Sequence, residues 1–164
     1  MRVRASACLG APGSGWPLLR RTLDLAAAAL AAEQVGGAEA CLEMAVGYAK
    51  VRRQFGRPIG SFQAIKHLCA GMLVKVEAAR SAAYYAAAVA EAGTDDLRTA
   101  AALAKSYCSE AFFHCASENI QVHGGIGFTW EHDAHLFFKR AKASESLLGD
   151  TVHHREVLAD CLGL

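Results

Sequence analysis

The sequence predicts an all-α fold, an antiparallel four-helix bundle with a short extra C-terminal helix. Three observations carry this. Alanine and leucine, strong helix formers, fill long blocks of the chain. Only three prolines interrupt 164 residues. Runs of Val, Ile and Thr that would mark strands are scarce.

The first helical block runs from about Leu18 to Arg52. It contains Gly36, Gly37 and Gly47, each costing roughly 1 kcal/mol against alanine. Glycines kept inside a helix point to close helix–helix approach. The stretch "FGRPIGS" breaks the block with Gly56, Pro58 and Gly60. A second helix starts near Ser61, an N-cap candidate. Phe62, Ile65, Cys69, Met72, Val76, Ala79 and Ala83 recur on one face of it, and Gly93 is its expected C-cap.

Thr94 is the expected cap of the third helix, with Asp95 and Asp96 in its first turn. This helix runs through Leu103, Tyr107, Phe112 and Ile120 to the glycines of "GGIGFTWE". A short helix is expected over about Asp133 to Lys142, then a break at "SESLLGD", then a last helix from Thr151 to Leu162. Long helices joined by short breaks pack as antiparallel neighbours. Their Ala-rich apolar faces exceed what one bundle must bury, so the chain is expected to self-associate.

Residues 1–17 read as a flexible lead-in and residues 18–164 as the bundle. Arg2, Arg4, Arg20 and Arg21 with no acid among them also suit a transit peptide, the less favoured reading. The formal net charge is +1, which gives no electrostatic case for nucleic acid or an anionic membrane. The most apolar block, Leu25 to Ala32, is too short to span a bilayer and is bounded by Asp24 and Glu33. Cys8, Cys41, Cys69, Cys108, Cys115 and Cys161 show no C-x-x-C spacing. They read as small buried thiols in a reducing compartment, hence a cytoplasmic protein.

Two breaks carry candidate chemistry. In "VRRQFGRPIGSFQ", Arg52, Arg53 and Arg57 cluster where one helix ends and the next begins. Guanidinium groups beside free helix N–H groups bind anions. Arginines at a helix C-terminus are also favourable with no ligand at all. In "ENIQVHGGIGFTW", Gln121, Gly124 and Gly125 offer an amide and bare backbone to a phosphate, or simply end a helix. It is no Rossmann fingerprint, because it follows a helix. His132 and His135 lack a third ligand, so no metal site is expected, and a solvated polar face is the plainer reading. The pairs Tyr84-Tyr85, Phe112-Phe113 and Phe137-Phe138 read as core and interface packing.

Taken in order, "RRQFGRPIGSFQ", "QVHGGIGF" and "KRAK" resemble the C-terminal helical domain of the acyl-CoA dehydrogenase family. The resemblance runs from about Leu18 to Leu162. It implies FAD as cofactor and acyl-CoA thioesters as substrates of the complete enzyme. It implies FAD contacts from Arg52, with Phe55 packing beside it, commonly toward a neighbouring subunit's dinucleotide. Gln63 would meet the adenine end, and Gln121, Gly124 and Gly125 the pyrophosphate. Family members also carry an N-terminal helical domain and a middle β-domain that complete the pocket.

The likeness fails at the chemistry. Dehydrogenation needs a carboxylate for the α-proton. One family position for it falls on Leu148 before Gly149, the other on Ala26, with Ala27 at the adjacent arginine position. No catalytic residue is therefore expected. Of the nearby acids, Asp24 lies on another helix face from Ala26, while Asp150 can swing in from the turn. The family's Arg-Asp-Ala-Lys reads Lys139-Arg140-Ala141-Lys142, and its flavin-contacting Thr-Ser-Gln reads Asp150-Thr151-Val152. The expectation is a base-less member that holds FAD and assembles with itself or with a Glu-bearing family subunit. The alternatives are a non-enzymatic interaction module of the same fold, or a flavin monooxygenase, which needs no such base.

Overall fold

The computed structural model describes residues 4–8, 10–94 and 96–164. The structure is all-α, as expected. Among the described residues there are five α-helices: α1 (Gly15–Val51), α2 (Gln63–Ala92), α3 (Leu97–His123), α4 (Ala134–Ser146) and α5 (Thr151–Leu162). Three are long, and both α4 and α5 are short. Two apolar clusters show how the long helices run. One joins Ala27, Ala31 and Val35 to Ala79, Ala83 and Ala86 and to Ala100, Ala104 and Cys108. The other joins Cys41, Ala45 and Ala49 to Met72 and Val76 and to Phe112, Cys115 and Val122. Rising numbers on α1 thus meet falling numbers on α2 and rising numbers on α3. α1 and α3 run alongside each other in the same direction, with α2 antiparallel to both.

α3 is the central element and touches every other α-helix. Alanines dominate the seams and let the backbones approach closely. Gly37 does the same at one point: a Cβ there would lie 2.4 Å from Phe112 Cζ, whereas one on Gly36 or Gly47 would meet nothing within 4 Å. The close-approach expectation therefore holds for one interior glycine of the three.

Helix ends depart from the sequence reading in several places. α1 begins at Gly15, ahead of Leu18, because Pro17 sits in the first turn, where a missing N–H costs nothing. Ser61 does not cap α2; its hydroxyl donates to Pro58 O at 2.7 Å, inside the 3-10 turn Ile59–Ser61. Asp96, rather than Thr94, occupies the N-cap of α3, without a side-chain bond, and Asp95 lies outside the described residues. Gly93 closes α2 at φ 68°, as expected. The N-terminus of α4 is served by His132, whose Nδ1 accepts from Ala134 N–H at 3.1 Å. Asp150 caps α5 by accepting from His153 N–H at 2.8 Å.

The aromatic and cysteine expectations hold in part. Phe112 is buried, while Tyr84 and Tyr85 are exposed. Cys41, Cys108 and Cys115 are buried, whereas Cys8 and Cys161 are exposed. No helix among the described residues is long and apolar enough to cross a membrane.

Candidate functional site

The α1–α2 break is a β-hairpin. Arg53–Gln54 (β1) pairs antiparallel with Arg57–Pro58 (β2), and Phe55 and Gly56 form the two-residue turn. Both turn residues have positive φ, 51° and 77°. A type I′ turn requires this of both central residues. For Phe55 it stores roughly 1–3 kcal/mol of strain. The ring is 92% exposed, touching Phe62 edge-on at 6.1 Å between centroids.

The hairpin separates the roles of the three arginines. Arg53 donates to Gly56 O at 2.8 Å and clamps the turn. The Arg57 guanidinium lies 4.1 Å from the Phe62 ring centroid. Arg52 instead lines a cavity of about 260 Å³ with Tyr48, Gln54, Ile59, Val122, His123, Gly124 and Gly125. The end of α1 and the end of α3 thus bring Arg52 and the two glycines onto one cavity. Gln63 and Gln121 are exposed, on the first turn of α2 and the last of α3, and do not line it. Gln54, which lines it, had no signal in the sequence beyond preceding the Phe-Gly turn.

The glycines offer room. Gly124 sits at φ 65°, ψ −140°, and its N–H goes to Ile120 O. It therefore contributes space and a sharp turn rather than a donor. A Cβ on Gly125 would meet nothing within 4 Å. The chain itself does not need glycine there for space, but a closely approaching ligand would. Arg52 and unfilled backbone together suit a phosphate group.

A ring stack walls one side. His123 lies 4.3 Å from Tyr48 and 4.2 Å from His132, centroid to centroid. Its Nδ1 is 2.8 Å from Asn119 O. Burial, reinforced by His132, pushes its pKa below the usual imidazole value, despite the Asn119 bond. His132 is half-buried and caps α4, which corrects the expectation of a solvated face. His135 packs edge-on against Trp130 at 4.8 Å.

The turn before α5 is the second point of interest. Leu148 has φ 62° and Gly149 φ 101°. A leucine in the left-handed region persists only where its surroundings impose it. Leu148 O accepts from His154 Nε2 at 3.0 Å. Lys105, fully buried on α3, donates to Gly149 O at 3.1 Å, Glu145 O at 3.0 Å and Ser109 Oγ at 3.0 Å. Gln34 extends the network, donating to Ser109 Oγ at 3.0 Å and Ser144 Oγ at 3.1 Å. Burial lowers the Lys105 pKa, while Glu145 and Asp150 act against that shift. Sequence reading missed this seam, since Gln34, Lys105 and Ser109 carry no motif.

The turn also reorders the acids. Asp150 is engaged as the α5 cap, accepting from His153 N–H, instead of pointing into the turn as a free acid. Asp24 shares a cavity of about 140 Å³ with Leu148, Arg98 and His153. Burial raises the Asp24 carboxyl pKa, with Arg98, Arg20 and Arg21 opposing. Ala26 does not line this cavity. The unusual Arg140 has a partner, since its Nε and Nη2 reach Glu33 at 2.6 and 2.8 Å.

The chain is 54% identical over 135 residues to acyl-CoA dehydrogenase IpdE2 of Mycobacterium tuberculosis, covering 82% of this chain and 40% of that one. Butyryl-CoA dehydrogenase of Megasphaera elsdenii superposes with a TM-score of 0.94 at 33% identity, over 99% of this chain and 42% of that one. A variant of the Tcur3481-Tcur3483 steroid ACAD gives a TM-score of 0.84 at 36% identity, over 88% of this chain and 40% of that one. The chain spans about two fifths of the length of each of these proteins. The family model for the acyl-CoA dehydrogenase C-terminal domain matches residues 13–163, so this chain belongs to the acyl-CoA dehydrogenase family as its C-terminal helical domain.

Proposed function

We propose that this chain holds part of FAD and builds the subunit assembly of an acyl-CoA dehydrogenase, leaving proton abstraction to a Glu-bearing partner subunit. The observation that carries the reading is the single cavity shared by Arg52, Gly124 and Gly125. The family uses FAD. When bound, FAD supplies the acceptor for the hydride leaving the β-carbon. The chain's own residues do the rest. Arg52 sets positive charge against the diphosphate, and Gly125 leaves it room for close approach. Phe55, strained and exposed on the hairpin, and Gln63, exposed on the first turn of α2, would meet the dinucleotide of a neighbouring subunit. Gln121, exposed at the end of α3, would meet the pyrophosphate from the rim.

Leu148 stands on a turn whose geometry is imposed by Lys105 and His154, yet its side chain cannot accept a proton. This supports a retained base-presenting turn without a base. The exposed Trp16, Leu18, Leu19, Leu23 and Leu25 on α1 support burial against further protein, a second copy or a family partner. The likeness to a steroid enzyme makes a steroid-bearing acyl-CoA the first thioester to assay. Free cysteines throughout suit the cytoplasm.

The test is anaerobic flavin bleaching by acyl-CoA, with the chain placed in its full-length context. The expected result is no bleaching alone and bleaching once a Glu-bearing partner is added. Loss of a positioned base costs about 10²–10⁴-fold. Leu148→Glu should restore bleaching by the chain alone. Rapid bleaching by the unmodified chain that vanishes in Asp24→Asn would assign the base to Asp24 and overturn the base-less role.

A further inference from the structure

His123 lines the Arg52 cavity but belongs to no anion-binding pattern. Most of its surroundings are accounted for. Tyr48 stacks on the ring at 4.3 Å and His132 packs against it, tilted, at 4.2 Å. Nδ1 faces the carbonyl oxygen of Asn119 at 2.8 Å. A carbonyl can only accept, so the neutral ring carries its proton on Nδ1, which leaves Nε2 with a lone pair and no proton. Nε2 makes no hydrogen bond to the described residues. Among the described residues the sealed polar side-chain atoms without a partner are on Asn119 and Thr151, so Nε2 is not fully sealed. His123 thus brings an unengaged acceptor to the lining of the cavity that also holds Arg52.

A bare imidazole lone pair repels a phosphate oxygen and pairs with a hydroxyl. The cavity thus has two halves of opposite character. Arg52 suits an anion, and His123 Nε2 suits a hydroxyl donor next to it. We propose that His123 is a further binding residue, accepting a hydrogen bond through Nε2 from a sugar hydroxyl adjacent to the pyrophosphate of the bound dinucleotide. This inference rests on the reading of the cavity as a pyrophosphate cradle. In FAD such hydroxyls flank the pyrophosphate on both sides, on the ribose and on the ribityl chain. Both present the same donor chemistry to Nε2. The stack fixes the ring plane, and the Asn119 carbonyl fixes the tautomer, so the acceptor is pre-oriented before any ligand arrives.

The experiment measures binding of inorganic pyrophosphate, ADP and FAD to the full chain, unmodified and with His123→Phe or Arg52→Ala. Phenylalanine keeps the stack and removes the acceptor. Loss of one neutral hydrogen bond should weaken binding by about threefold to tenfold. His123→Phe should weaken FAD by that factor and leave pyrophosphate unchanged. ADP weakened equally assigns the ribose hydroxyl, and ADP unchanged assigns the ribityl hydroxyl. Arg52→Ala should weaken all three. Nitrogen-15 NMR of the unmodified chain supplies a readout independent of any variant's folding. It should show His123 protonated on Nδ1 alone, with the Nε2 resonance shifting on FAD addition and not on pyrophosphate addition. An Nε2-protonated tautomer, or equal FAD affinity with and without the imidazole, overturns the role of His123 and leaves the cradle standing. Absence of pyrophosphate binding, or indifference to Arg52→Ala, overturns the cradle itself and this inference with it.

Discussion

Lys105 and Gly149 lie 44 residues apart, and the ammonium of the first donates to the carbonyl of the second at 3.1 Å inside the bundle. That bond, with its companion to Glu145 O, ties α3 to the turn carrying Leu148. Removing one partner of a buried polar contact leaves the other unsatisfied, at about 1–3 kcal/mol per group. Lys105→Met should therefore lower unfolding stability by roughly 2–4 kcal/mol in urea titration. A loss under about 0.5 kcal/mol would mean that water replaces the ammonium and the turn stands without it.

Gly36 and Gly37 are adjacent on α1 and should respond oppositely to alanine. At Gly37 the new methyl meets the Phe112 ring at 2.4 Å, which forces repacking. The expected cost is about 1–3 kcal/mol. At Gly36 nothing lies within 4 Å, so alanine gains helix propensity worth about 0.5–1 kcal/mol. Thermal unfolding of the two variants reads the contrast directly, and equal shifts would remove the close-approach account of Gly37.

Arg52→Ala should weaken flavin retention in the full-length assembly by an amount matching a charge-assisted bond, about 1.5–3 kcal/mol. Gly125→Ala is the cleaner probe of the backbone. Its methyl meets no atom of this chain, so fold stability should hold while flavin affinity drops. Unchanged affinity in both variants would reduce the "QVHGG" loop to a helix terminus.

Stability should fall as the solution is acidified below the ordinary imidazole pKa of about 6.5. Burial depresses the pKa of both His123 and His154. The unfolded chain then binds more protons than the folded one between the folded and unfolded values, so stability rises with pH across that window. It is fully present above about pH 6.5 and is lost as the pH drops through the folded values. Urea titrations from pH 8 to pH 5 should show this. His154→Gln should flatten the dependence, since glutamine donates to Leu148 O without titrating. An undiminished slope in that variant would place the acid sensitivity elsewhere.

Much of the fold was written locally. Alanine-rich blocks specify helices by propensity and a narrow apolar seam by period, so Met72, Val76, Ala79 and Ala83 could be assigned to the core from spacing alone. Gly93 announced its own cap, because a positive φ costs glycine nothing. The paired motifs around Arg52 and Gly124 likewise named residues that the folded chain brings to one cavity.

What the sequence by itself determined is therefore the helical architecture, the family likeness and the absence of a carboxylate at Leu148 and Ala26. Tertiary structure alone decided how individual side chains are used. It gave Arg53 and Arg57 to the hairpin and left Arg52 for the cavity. It held Asp150 as a cap and placed Asp24 on the same cavity as Leu148. It buried Lys105 among carbonyls supplied by residues 40 and 44 positions away. The physical reason is that propensity and period act over a few residues. A charged or polar side chain instead takes its role from whichever acceptors and charges distant segments deliver to it, and those are set only when the helices dock.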